Sequence, residues 1–158
     1  MATNKMLFGS SNVSITCTIT SLANNGQRGS AYVDNSSNLY LDALVMVKAK
    51  TASSSTSSTG TINVYAYGSV DGATTFSDGV GGTDAGVTLT APPNTFLIGV
   101  INCVANSTTY YGGPFSVAQA FGGDLPQYWG VIIENKTGAT LDGSVGSVYF
   151  QAVQTQYV

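Results

Sequence analysis

Residues 12–20 read NVSITCTIT. Val13, Ile15, Cys17 and Ile19 alternate with Ser14, Thr16, Thr18 and Thr20. A period of two sends successive side chains to opposite faces of a sheet, and β-branched residues crowd a helix but suit a pleated surface. The stretch predicts a half-buried β-strand and sets the pattern for the rest of the chain.

Working outward, the same alternation recurs between turn signals. Before the stretch, Met6, Leu7 and Phe8 precede the first strand with no partner of their own. After it, LANNGQRG (22–29) breaks the pattern, with Asn25-Gly26 as the turn. Short strands are expected at 30–33, 87–90 and 115–118, the last after a turn at Gly112-Gly113-Pro114. Longer ones are expected at 39–50, 61–70, 95–104, 128–135 and 144–153. In 39–50, Leu41, Ala43, Val45, Val47 and Ala49 share one face, while the other has Leu44 and Met46 between charged ends. The run 95–104 is apolar on both faces, which predicts a strand covered on both sides. TASSSTSSTG (51–60) and the glycine- and aspartate-rich 72–86 read as loops. No stretch has a convincing helical period. The pattern predicts an all-β fold, a single β-sandwich or jelly-roll-like domain of eight or nine antiparallel strands. Residues 1–11 read as an N-terminal arm, which either docks on the domain or reaches a neighbour, and 12–158 as the sandwich.

Composition narrows the function. Charged residues make up 8% of the 158, against roughly 25% in ordinary soluble domains. Short neutral polar residues and nine tyrosines take their place. The net charge is −3, and Lys5, Arg28, Lys48, Lys50 and Lys136 form no basic cluster. Nucleic-acid binding by phosphate neutralisation is therefore not expected, nor is a polybasic membrane contact. No apolar run is long enough for a transmembrane helix, and the N-terminus lacks the apolar core of a signal peptide, so synthesis in a cytoplasm is expected.

The chain has no histidine, which removes histidine-based triads and the common zinc sites. Cys17 and Cys103 lie too far apart in sequence for a metal or redox motif. They read as two buried thiols, with a disulfide left open. Asp34, Asp71, Asp78, Asp84 and Asp142 sit in turn contexts, where aspartate caps the local backbone. Asp71, Asp78 and Asp84 are the one set that could offer oxygens to calcium. No catalytic residue, cofactor or metal ligand is assigned. Two candidate surfaces remain. Met6, Leu7, Phe8, Leu44 and Met46 are candidate partner contacts, because apolar residues at the centre of an outer face suit a subunit interface. Tyr110, Tyr111 and Trp129 are candidate carbohydrate-stacking residues, or else fill the core.

Three stretches carry a resemblance: SLANNGQRGSAYVDN (21–35), VYAYGSVDG (64–72) and LPQYWGVIIENKTGATLD (125–142). With the charge-poor background, the chain resembles small structural proteins of tailed bacteriophages, and in size and class their capsid decoration (cement) proteins. The resemblance implies a non-enzymatic virion protein that is a homo-oligomer, trimer or dimer. Its implied partner is the major capsid protein, with no nucleic acid and no membrane involved. The alternative is a tail or fibre module that binds host-surface carbohydrate.

Overall fold

The structure is a computed structural model that describes residues 4–157. Eleven strands form two antiparallel sheets: β1 (Asn4–Phe8), β2 (Val13–Ile15), β3 (Gln27–Gly29), β4 (Val33–Asp34), β5 (Asp42–Lys50), β6 (Thr61–Ser69), β7 (Ala85–Gly86), β8 (Phe96–Asn102), β9 (Thr109–Ser116), β10 (Tyr128–Lys136) and β11 (Gly146–Tyr157). The only helical pieces among the described residues are 3₁₀ turns at Ser77–Gly79 and Ala118–Phe121. The first sheet has the order β1-β11-β5-β9, with β2 also on β11. The second has the order β7-β3-β10-β6-β8, with β4 also on β10. The fold is a β-sandwich.

Between the sheets the alternation does what the sequence predicts. Ala43, Val45, Val47 and Ala49 of β5 face Ile62, Val64 and Ala66 of β6, with Trp129, Val131 and Ile133 of β10 beside them, all buried. The founding stretch is ladder-bonded only at β2, where Ile15 sits opposite Val148. Beyond Ile15 it leaves the first sheet and crosses toward the second. The Thr16 carbonyl accepts from the Ala31 N–H, while Cys17 and Ile19 stay buried. Alternation thus marks an extended chain that closes one side of the sandwich, a corner rather than a long strand.

Three expected strands differ in the structure. The run read as 30–33 is part of a longer, broken strand, β3 and β4, along β10. Gly29 opposes Ile132 and Val33 opposes Trp129, so four steps on one side match three on the other, a bulge. The strand expected at 87–90 is displaced to β7, because Val87 and Leu89 donate instead to the main chain and side chain of Gln27. The strand expected at 115–118 is only the end of β9, which stops at Ser116 before the 3₁₀ turn, and the turn expected ahead of it at Gly112-Gly113-Pro114 lies inside β9. There Gly112 opposes Val47, and a register shift follows where β9 passes Met46. A proline is tolerated because β9 is an edge strand.

Residues 70–95 fold back over the outer face of the second sheet. Phe76 and Val80 pack there on Tyr67 and Ile132, making a second, smaller core. Tyr67 is fully buried and its hydroxyl donates to the Ser30 carbonyl at 2.7 Å. The outer face of that sheet is therefore covered over β6 and β10, whereas the outer face of the first sheet is not.

Candidate protein-contact surface

The open face of the first sheet is built by β1, β11 and β5. Phe8 lies opposite Val153, which in turn lies opposite Asp42. Met6 lies opposite Thr155, Leu44 opposite Gln151 and Met46 opposite Tyr149. The register therefore puts Met6, Phe8, Leu44 and Met46 on one face. Met6 is 66% exposed and Phe8 50%. Met6, Phe8, Leu41, Leu44 and Val153 line an open depression of about 800 Å³, whose far wall is the segment after β9. The one carboxylate in its lining, Asp42, is already engaged: its two oxygens accept from the Ser116 hydroxyl (2.7 Å) and the Ala118 N–H (2.8 Å). These bonds pin that segment to β5 and keep the wall in place. Leu7 points to the other side of β1, where it lines a smaller depression with Val13 and Tyr40. It is not part of the same surface.

Residues 4–8 thus lie along β11 as an edge strand. Gly9 continues the attachment through its N–H to Ala152, and its carbonyl accepts from the Gln151 amide. Met1, also within the segment read as an arm, lies outside the described residues.

The three stacking candidates fare differently. Trp129 is fully buried, edge-on to Phe150 at 5.1 Å between ring centres, so it packs the core and offers no face to a sugar. Its place on the inward phase of β10, with Val131 and Ile133, fixes that orientation. The Tyr110 hydroxyl accepts from the N–H groups of Val104 and Ala105, which makes it a clamp on the β8–β9 connection. Tyr111 alone is open, 63% exposed, with the Lys48 ammonium 5.7 Å from its ring centre.

The carboxylates do not converge. Asp71 accepts from Ser69, Thr74 and Thr75, Asp78 from Thr90 and Asn94, and Asp84 from Arg28 and Thr18. These bonds hold Asp71 and Asp84 at about 2, well below the usual carboxylate range; the Ser69 hydroxyl dominates for Asp71 and the Arg28 guanidinium for Asp84. Glu134 lies low on the outer face of the second sheet. Burial opposes its charge, but hydrogen bonds from Gln27 and Asn63, the Lys136 ammonium and the Tyr65 hydroxyl together outweigh it and hold the carboxyl below its usual range. No group of three potential metal ligands comes together among the described residues. Cys17 and Cys103 are free thiols, both buried.

Sequence reasoning found β8, expected at 95–104, but misjudged its cover. Its continuous apolar run argued for cover on both sides, yet β8 is an edge strand with Phe96 49%, Leu97 54% and Val100 45% exposed. Hydrophobicity alone does not separate a central strand from an unguarded edge; the strand order decides that.

Neither a protein-family model nor a curated protein matches the chain.

Proposed function

We propose that this protein is a non-enzymatic virion structural protein, a capsid decoration (cement) protein that stabilises the lattice of the major capsid protein. The observation that carries the reading is the uncovered, apolar outer face of the first sheet around Met6, Phe8 and Leu44. A monomeric domain gains nothing from such a face, whereas a partner that covers it recovers about 1.5–3 kcal/mol for each large side chain fully buried. Asp42, the carboxylate in the lining, has both oxygens held by the Ser116 hydroxyl and the Ala118 N–H, so it meets a partner with part of its solvation already replaced. The carbohydrate-binding alternative retains Tyr111 but loses Trp129, and a single aromatic is a thin platform.

The test uses phage particles that lack the protein. Added wild-type protein should co-sediment with them and raise the temperature at which they release DNA, while Phe8→Asp and Met6→Lys should do neither. Particles equally heat-stable with and without the protein would overturn the reading, as would binding indifferent to both changes.

A further inference from the structure

The two sheets have four edges, and three are guarded. β7 is two residues long, β1 carries Lys5, and β9 carries Gly113 and Pro114. Short length, charge, proline and bulges are the usual defences of an edge. β8 is seven residues long, FLIGVIN, with neither charge nor proline. No Asp, Glu, Lys or Arg occurs between Asp84 and Asp124. Its single irregularity is a bulge at Ile98, where Leu97 and Gly99 oppose the adjacent residues Tyr65 and Val64. From Gly99 to Asn102 the strand is regular.

The phase of its hydrogen bonds is fixed. The Cys103 N–H donates to the Gly60 carbonyl at 2.8 Å, in the same register that sets Ile101 opposite Ile62. Alternate residues of an antiparallel strand point their main-chain groups to opposite sides. Ile101 therefore bonds to β6, while Val100 and Asn102 turn N–H and C=O outward.

We propose that β8 pairs antiparallel with β8 of a second copy of this chain, about a two-fold axis at Ile101. That register sets Val100 of each copy opposite Asn102 of the other, so the outward groups of both exchange reciprocal hydrogen bonds. It also brings the half-exposed Leu97, Val100 and Val104 of each copy against the other. The occupant is a strand because a second extended chain meets the successive outward N–H and C=O groups of Val100 and Asn102 together. It is a second copy because the pairing is self-complementary, and because an uncharged edge lets two chains of net charge −3 meet without opposing like charges. The contact is separate from the face assigned to the capsid and does not depend on that assignment.

Sedimentation velocity over about 1–200 µM tests it, since a small interface gives a concentration-dependent dimer. Wild-type protein should pass from monomer to dimer. Val100→Pro, which removes an outward N–H, and Val100→Lys, which puts charge on the edge, should each weaken the dimer by about tenfold or more. Val100→Lys leaves the β6 ladder untouched and decides the matter if the proline variant does not fold. Phe8→Asp should dimerise as wild type does, which separates this contact from the capsid face. Protein that stays monomeric throughout would overturn the proposal, and so would an oligomer unaffected by Val100→Lys.

Discussion

Asn135 ties the turn that follows β10 to residues 22–26, a segment distant in sequence. Its side-chain amide donates to the carbonyls of Leu22 and Ala139, and its oxygen accepts from the N–H and hydroxyl of Thr137. Its main chain exchanges bonds with the Asn25-Gly26 turn. The residue is fully buried, so Asn135→Ala strands several polar groups at once and should cost about 3 kcal/mol in urea unfolding. Trp129, the only tryptophan, supplies the signal for that measurement, since its emission should shift to longer wavelength when the core opens. Asp84 gives a pH signature. Its folded pKa, about 2, lies below its ordinary value of 3.8 because Arg28 and then Thr18 hold the charged form. The unfolded chain therefore takes up the proton first as pH falls. The stabilisation is complete above about pH 4 and is lost toward pH 2, a contribution of about 1 kcal/mol after solvent screening. Wild type should lose that much over this window relative to Asp84→Asn, measured by denaturation at each pH.

At the scale of elements, what the sequence reveals depends on whether the cause is local. β5, β6, β10 and β11 were legible because each is long and borders a turn rich in glycine, aspartate or serine. β9 was not, because Gly112-Gly113-Pro114 carries turn chemistry that an edge strand tolerates. The glycines there answer to a partner distant in sequence: a Cβ on Gly112 would overlap the Ile101 side chain, and one on Gly99 would overlap the Phe115 ring. These two glycines let the edges of the sheets close together. Gly99→Ala and Gly112→Ala should each cost about 1–3 kcal/mol by overpacking, read from the same urea curves. Of the candidate contact residues, Leu44 and Met46 were legible from the phase of β5. Met6 and Phe8 were separated from Leu7 only by their pairing with β11. Removing residues 1–8 should leave a folded domain whose thermal midpoint falls by roughly 3–8 °C, since β1 is exposed along its length.

For the whole molecule, ion pairs are a small part of what holds the sandwich together. Three ion pairs occur among the described residues, Arg28–Asp84, Lys50–Asp142 and Lys136–Glu134. Raising salt from about 0.1 M to about 1 M, which shortens the screening length from roughly 10 to 3 Å, should therefore change unfolding stability by less than about 1 kcal/mol. A strong salt dependence would point to charge interactions that these three pairs do not provide.

The two thiols have a use in time rather than in space. Burial pushes Cys17 up to about 12 and Cys103 up to about 11, so neither is a nucleophile in the closed molecule. Each becomes reactive only when its own region opens: Cys17 with the crossing segment after β2, Cys103 with the join between β8 and β9. Labelling by a thiol reagent, followed separately at the two positions, turns the pair into two clocks. Equal rates would mean that the sandwich opens as one unit. A faster Cys103 would mean that the unguarded edge breathes first, and a tightly paired second copy would slow that clock alone.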